Sequence, residues 1–157
     1  MCFLFLCLIG AGLSVYAYHV ETTKEKDNSY RAACDINEQM SCSKVFTSRY
    51  GRGFGILEHV VGKKSPLNQP NSVFGLVFYA LQTILGLQRT SSAAFMQVIL
   101  AVMANMGSVY LAYILYFVLN DVCVVCVSTY VVNFLLLLTC INKYSILKNQ
   151  VSIKKKV

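Results

Sequence analysis

Four long apolar runs, separated by one extended polar stretch and two short turns, set the pattern of this chain. The first, Met1–Val20, is broken only by Ser14 and His19. The second follows Pro70-Asn71-Ser72, a helix start signal, and ends near Leu87 at about one hydrocarbon thickness. The third runs from Ala93 to Leu119 and the fourth from Val122 to Ile141. Runs of this length and apolarity predict membrane helices, so the expectation is an all-α membrane protein of one domain over residues 1–157. Its spans fall at about 1–20, 72–88, 93–119 and 122–141, with a polar segment 21–71 between the first two.

Within the polar segment, Ser41–Tyr50 alternates polar residues with Val45, Phe46 and Tyr50. That predicts a short amphipathic helix lying on the membrane face as a lid. Gly51, Gly53 and Gly55 end it, and Phe54 between them is expected to dip into lipid as an anchor. Arg49 and Arg52 are expected to pair with headgroups or acidic neighbours.

Composition sharpens the class. The chain is 56% hydrophobic and only 13% charged, with mean hydropathy +0.56, which excludes an ordinary soluble domain. A net charge of +7 could suggest nucleic acid, but no basic stripe with interleaved aromatics is present, so no nucleic-acid partner is expected. Topology explains the basic bias better. Lys143, Lys148, Lys154, Lys155 and Lys156 follow the last span, and Arg89 lies in the 88–92 turn. The Asn120-Asp121 turn has no basic residue, and the long segment mixes basic with acidic side chains. The positive-inside rule then puts both termini in the cytosol and the long segment in the lumen. The first run lacks a basic leader and a small-x-small cleavage site, so a retained helix is preferred to a signal peptide. The terminal lysines read equally as a dilysine retrieval signal to the endoplasmic reticulum or as a topology-fixing basic flank.

The candidate chemistry is in the cysteines. Cys123-Val124-Val125-Cys126 places two thiols one helical turn apart at the head of the fourth span, and this topology puts Cys34 and Cys42 at the same membrane face. Cys123, Cys126 and Tyr130, at i, i+3 and i+7, share one stripe. The outer thiol can exchange with a loop cysteine, and the inner one can face a substrate dissolved in the membrane, a quinone above all. Cys34 and Cys42 can pair with each other, and Cys42 can also exchange with Cys123. A helix N-terminus favours the Cys123 thiolate and Asp121 opposes it. The spacing Cys34-x7-Cys42 is atypical for zinc, and a CxxC bridge closes too small a loop to stabilise much, so no metal site is expected and a redox role is favoured over a structural one. Cys2, Cys7 and Cys140 are read as small packing residues. For Asn71 a helix N-cap and a substrate contact both stand, as do core and ligand wall for Phe74 and Phe78, and interfacial aromatic and substrate contact for Tyr130.

Several motifs together resemble the vitamin K epoxide reductase family: Cys34-Asp35, Ser41-Cys42-Ser43, Ser48-Arg49-Tyr50-Gly51-Arg52-Gly53-Phe54-Gly55, Leu67-Asn68-Gln69-Pro70-Asn71-Ser72 and Cys123-Val124-Val125-Cys126. They cover nearly the whole chain in order and spacing. Tyr16-Ala17-Tyr18-His19-Val20-Glu21 and Leu111-Ala112-Tyr113-Ile114-Leu115-Tyr116 are similar to the family's vertebrate vitamin K epoxide reductase-like branch. Tyr50 departs from the tryptophan usual there but keeps a ring.

The resemblance implies a four-transmembrane-helix bundle in the endoplasmic reticulum membrane with a lumenal cap between the first and second helices. It implies thiol-dependent reduction of vitamin K 2,3-epoxide to the quinone and of the quinone to the hydroquinone. Vitamin K would be the substrate, with no tightly bound cofactor. Cys126 would attack the substrate and Cys123 resolve the adduct, while Cys42 and Cys34 relay electrons from a thioredoxin-like lumenal reductant. Asn71 and Tyr130 would hydrogen-bond the ketone oxygens, and Phe46, Phe74, Phe78 and Tyr79 would wall the ring. Warfarin-type 4-hydroxycoumarin inhibitors would enter the same pocket. The same electrons could run in reverse, as in a quinone-driven oxidase making disulfides in lumenal proteins. A structural tetraspan protein with a disulfide-braced loop is the non-enzymatic alternative.

Overall fold

The computed structural model describes residues 2–37, 40–56, 62 and 68–154. These form α1 (Cys2–Lys26), a short α2 (Cys42–Phe46), two 3-10 turns (Arg49–Gly51 and Gly53–Gly55), α3 (Asn71–Leu87), α4 (Ser91–Phe117) and α5 (Val124–Lys154). Among the described residues there is no strand, only two isolated bridges. Leu67 and the lysines at 155 and 156, named above in a motif and in the C-terminal signal, lie outside the described residues, as does the side chain of Lys154.

Each of the four long helices packs on two others: α1 and α4 both lie against α3 and α5. Three of them, α1, α4 and α5, are long and apolar enough to cross a membrane. The 17 residues of α3 make a helix of about 26 Å, shorter than a typical hydrocarbon core. The bundle is inverted relative to a soluble protein. Phe5, Leu8, Leu87, Met106 and Val109 are exposed on its outer surface, while Gln82, Gln97 and Asn133 are buried inside. An apolar solvent explains the pattern, since lipid accepts leucine and the interior must pair every amide.

That pairing is visible. Gln82 Nε2 donates to the Gln97 carbonyl at 3.0 Å, and Gln97 Nε2 returns a bond to the Gln82 carbonyl at 3.2 Å, joining α3 to α4. Lys143 Nζ on α5 donates to the Gly86 carbonyl at 2.9 Å, to the Leu85 carbonyl at 3.5 Å and to Gln97 Oε1 at 2.9 Å, closing the last turn of α3. Gly10 on α1 lies against the Tyr79 ring, where a Cβ would collide, so glycine permits the close approach of α1 and α3.

Two helices outrun their apolar runs. α1 continues past Val20 to Lys26, and α5 past Ile141 to Lys154. Neither extension holds a glycine or proline, so the helix propagates beyond the composition that made it apolar. The described part of the segment between α1 and α3 covers one end of the bundle, where α1 and α4 end and α3 and α5 begin, with Val45, Phe46, Tyr50 and Phe54 over a cavity that all four long helices line. Its amphipathic helix is shorter than Ser41–Tyr50, stopping at Phe46 before the 3-10 turns. Ser41 is its N-cap, accepting from the Lys44 N–H at 3.3 Å.

Candidate functional site

The start of α5 fixes the central pair of thiols. Cys123 is the residue before the helix, and its carbonyl accepts from the Val127 N–H at 3.0 Å. Its Sγ accepts from the Cys126 N–H at 3.4 Å, as a capping oxygen would. Tyr130, Cys126 and Cys123 lie along one helical stripe, and Cys126 and Tyr130 share the wall of one cavity.

The cap segment brings the second pair to the first. Cys34 and Cys42 form a disulfide with Cα atoms 5.8 Å apart. Cys42 and Cys123 are both fully buried in one apolar cluster with Ala17, Leu115 and Val125, and Cys34 and Cys126 pack against that cluster. Asp35 ties the two strands of the small loop together. Its carboxylate accepts from the Ala32 N–H at 3.0 Å, the Ser43 N–H at 3.0 Å, the Ser43 hydroxyl at 2.5 Å and the Ser41 hydroxyl at 3.1 Å. Burial works against the charge, but these bonds outweigh it and hold the Asp35 carboxyl below the usual carboxylate range. Tyr16 on α1 lies with its hydroxyl 3.8 Å from Cys34 Sγ.

Below the thiols is a cavity of about 510 Å³, large enough for a bicyclic ring. Cys126 lines it, and Cys34, Cys42 and Cys123 do not. Its walls include Phe46 and Phe54 from the cap segment, Asn71, Phe74, Phe78 and Tyr79 from α3, and Tyr130 and Asn133 from α5. The inner sulfur of the CxxC pair thus lines an apolar chamber, and the outer one lies in the same buried cluster as the Cys34–Cys42 disulfide.

Residues 1–141 match the Vitamin K epoxide reductase family. The chain is 50% identical over 138 residues to mouse vitamin K epoxide reductase complex subunit 1, covering 88% of this chain and 86% of the relative. Its rat counterpart is 48% identical over the same shares. The chain belongs to the vitamin K epoxide reductase family.

In this family member Cys126, Asn71, Tyr130, Phe46, Phe74, Phe78 and Tyr79 line the cavity, while Cys34, Cys42 and Cys123 lie in the adjoining cluster. Asn71 is not the helix N-cap: Pro70 occupies that position. The Asn71 amide instead clips the cap segment down, Nδ2 donating to the Tyr50 carbonyl at 2.7 Å and Oδ1 accepting from the Phe54 N–H at 2.9 Å. Phe54 is not a lipid anchor. It lines the cavity, with its ring 6.0 Å from that of Phe74. It gets there through a left-handed backbone, φ 57°, flanked by Gly53 at 53° and Gly55 at 71°. Arg52 meets acidic neighbours: Nε lies 3.3 Å from Glu21 and Nη2 2.5 Å from Glu25. Cys7 and Cys140 are buried packing residues, whereas Cys2 is exposed, because it lies on the outer face of the first turn of α1.

Asn133 and Phe54 are among the wall residues that the sequence reading did not assign to the site. Tyr79 donates to Asn133 Oδ1 at 2.8 Å, and Asn133 Nδ2 donates to the Ser108 hydroxyl at 3.0 Å, linking α3, α5 and α4 around the chamber. Asn133 lies seven residues after Cys126, one step further along the stripe that Tyr130 already marked. That extension was the available signal. Phe54 had none, since its direction depends on a backbone turn.

Proposed function

We propose that this protein is a membrane thiol-dependent reductase that converts vitamin K 2,3-epoxide to the quinone and the quinone to the hydroquinone. One observation carries the reading: four cysteines gather in a single cluster, and only Cys126 of the four opens onto the chamber. An electron path from a loop dithiol to a lipid-soluble substrate requires that arrangement. The mouse and rat relatives named above support the substrate class.

In the reaction, the Cys126 sulfur attacks an epoxide carbon as its thiol proton is given up. The carbon–sulfur bond forms, the epoxide C–O bond breaks and the alkoxide takes up that proton. Cys123 then attacks the Cys126 sulfur, and its own thiol proton goes to the departing hydroxyl. The carbon–sulfur bond breaks, its electron pair returns to the ring, and the oxygen leaves as water. The sum is epoxide plus two thiols giving quinone, disulfide and water. Tyr130 stabilises the developing oxyanion in a low-dielectric chamber. Tyr79, Phe46, Phe74 and Phe78 wall the ring, and 4-hydroxycoumarins fit the same chamber. Asn71 has one amide hydrogen left for a ketone oxygen once its bonds to the cap segment are counted.

The spans are four, with α3 crossing a locally thinner region, and the cap is lumenal in the endoplasmic reticulum with both termini cytosolic. Basic residues after the last span and in the 88–92 turn support that orientation. A thioredoxin-like lumenal protein reduces Cys34–Cys42. The test is turnover in membranes. Cys126→Ala and Cys123→Ala abolish it, while Cys34→Ala loses activity with a protein reductant and keeps part of it with a small permeable dithiol. Full activity in Cys126→Ala ends the assignment.

A further inference from the structure

Two charged residues flank the junction between the dithiols, one on each side. Lys44 lies two residues after Cys42 in α2, and Asp121 lies two residues before Cys123 at the head of α5. Lys44 Nζ is 3.5 Å from Asp121 Oδ2. The pair is asymmetric: the lysine side chain is 63% exposed and the aspartate 8%. A carboxylate held in the bundle is therefore met by an ammonium that arrives with the cap segment and keeps most of its water. The Asp121 N–H donates to the Leu115 carbonyl at 3.3 Å, which fixes the carboxylate to the end of α4. Leu115 belongs to the same apolar cluster as Cys42 and Cys123.

Burying a carboxylate without a counter-charge is costly, so Asp121 favours the arrangement in which α2 lies across the head of α5. Apolar contact among Ala17, Cys42, Leu115, Cys123 and Val125 draws the surfaces together but does not fix their register, because dispersion is nearly non-directional. A single ion pair two residues from each sulfur does. Thiol–disulfide exchange needs the attacking sulfur aimed along the bond it breaks, so a small error in register slows it steeply.

We propose that Lys44 and Asp121 are positioning residues that dock Cys42 onto Cys123 for electron relay. This rests on the relay reading above. Each cycle then balances as follows. With Cys34 and Cys42 reduced and Cys123–Cys126 oxidised, the Cys42 thiolate attacks Cys123. The Cys42–Cys123 bond forms and Cys126 leaves as a thiolate. The Cys34 thiolate next attacks Cys42 and releases Cys123, so the loop pair is oxidised and the CxxC pair reduced. The ion pair takes no part in bond making. It holds the two partners in line while the bonds change.

The test uses the full chain in lipid vesicles in a Cys34→Ala/Cys126→Ala background, which leaves Cys42 and Cys123 as the facing thiols. Diamide accepts their two electrons and two protons, and mass spectrometry follows the Cys42–Cys123 cross-link with time. Lys44→Gln slows cross-linking about five-fold and Lys44→Glu by more, in line with the worth of a partly exposed pair and of its reversal. The exchanged pair, Lys44→Asp with Asp121→Lys, recovers most of the rate. Raising ionic strength slows the parent and leaves Lys44→Gln nearly unchanged. A purely structural role predicts neither charge-swap rescue nor salt dependence. Should Asp121→Lys fail to fold, the exposed Lys44 variants and the salt series decide alone. Equal cross-linking with lysine, glutamine and glutamate at position 44 overturns the docking role and leaves the relay standing. No Cys42–Cys123 cross-link even with the pair intact overturns the relay, and the docking role with it.

Discussion

Replacing Asn71 with alanine separates the two jobs this side chain can do. Its amide makes two bonds to the cap segment, 2.7 Å to the Tyr50 carbonyl and 2.9 Å to the Phe54 N–H. Each such bond is worth about 0.5–1.5 kcal/mol net, so alanine shifts the closed–open balance of this turn by about 1–3 kcal/mol, a factor of about 5 to 150. The loss is felt at Phe54 in particular, because its left-handed backbone costs about 1–2 kcal/mol and depends on that acceptor. Native-state hydrogen exchange of the peptide covering residues 50–56, measured in lipid without substrate, reads the effect directly. Alanine should release the Phe54 amide. Asn71→Asp keeps the acceptor and loses the donor, so the Phe54 amide should stay largely protected while turnover changes. Wild-type protection of the Phe54 amide in Asn71→Ala would refute the clip and leave Asn71 a substrate contact alone.

Three further outcomes are expected. Asp35 has a folded pKa below its unfolded value near 3.9, so its contribution is present above that value and lost as pH falls through the depressed one. Melting of wild type and Asp35→Asn in detergent should therefore differ at pH 7 and converge in strongly acid buffer; a gap unchanged at low pH would contradict this. Tyr79→Phe leaves Asn133 Oδ1 without its donor and should lower stability by about 0.6–2 kcal/mol with a larger loss for Asn133→Leu, read by thermal melting in micelles. Lys143→Met strips the donor from the Leu85 and Gly86 carbonyls, so backbone exchange should rise at the end of α3 and not at its start.

The sequence made the four helices legible because lipid selects composition, and the runs stood out against the polar segment. It did not reveal where the helices stop: nothing in Asn142–Lys154 breaks a helix, so α5 runs on where apolarity ends. The site was legible where its residues share one element. Cys123, Cys126 and Tyr130 form a stripe by periodicity alone, and Asn133 was one step further along it. Contacts between distant segments were not readable in that way. Asp35 was visible as part of a motif, but its bonds to Ser41 and Ser43 exist only once the small loop closes. The inward turn of Phe54 depends on three successive positive φ angles and on Asn71, 17 residues away. Asp121 was visible beside Cys123, but its pairing with Lys44 across distant segments carried no local signal.

The central claim is that electrons pass from Cys34 and Cys42 through Cys123 to Cys126 and then to a quinone-type substrate. Mass mapping of disulfides in membranes, with and without vitamin K 2,3-epoxide, tests it most directly. Starting from protein reduced at both pairs, epoxide should oxidise Cys123–Cys126 first, in step with quinone formation, and the Cys34–Cys42 disulfide should follow. Quinone accumulating while Cys123 and Cys126 both remain open to alkylation would contradict the account.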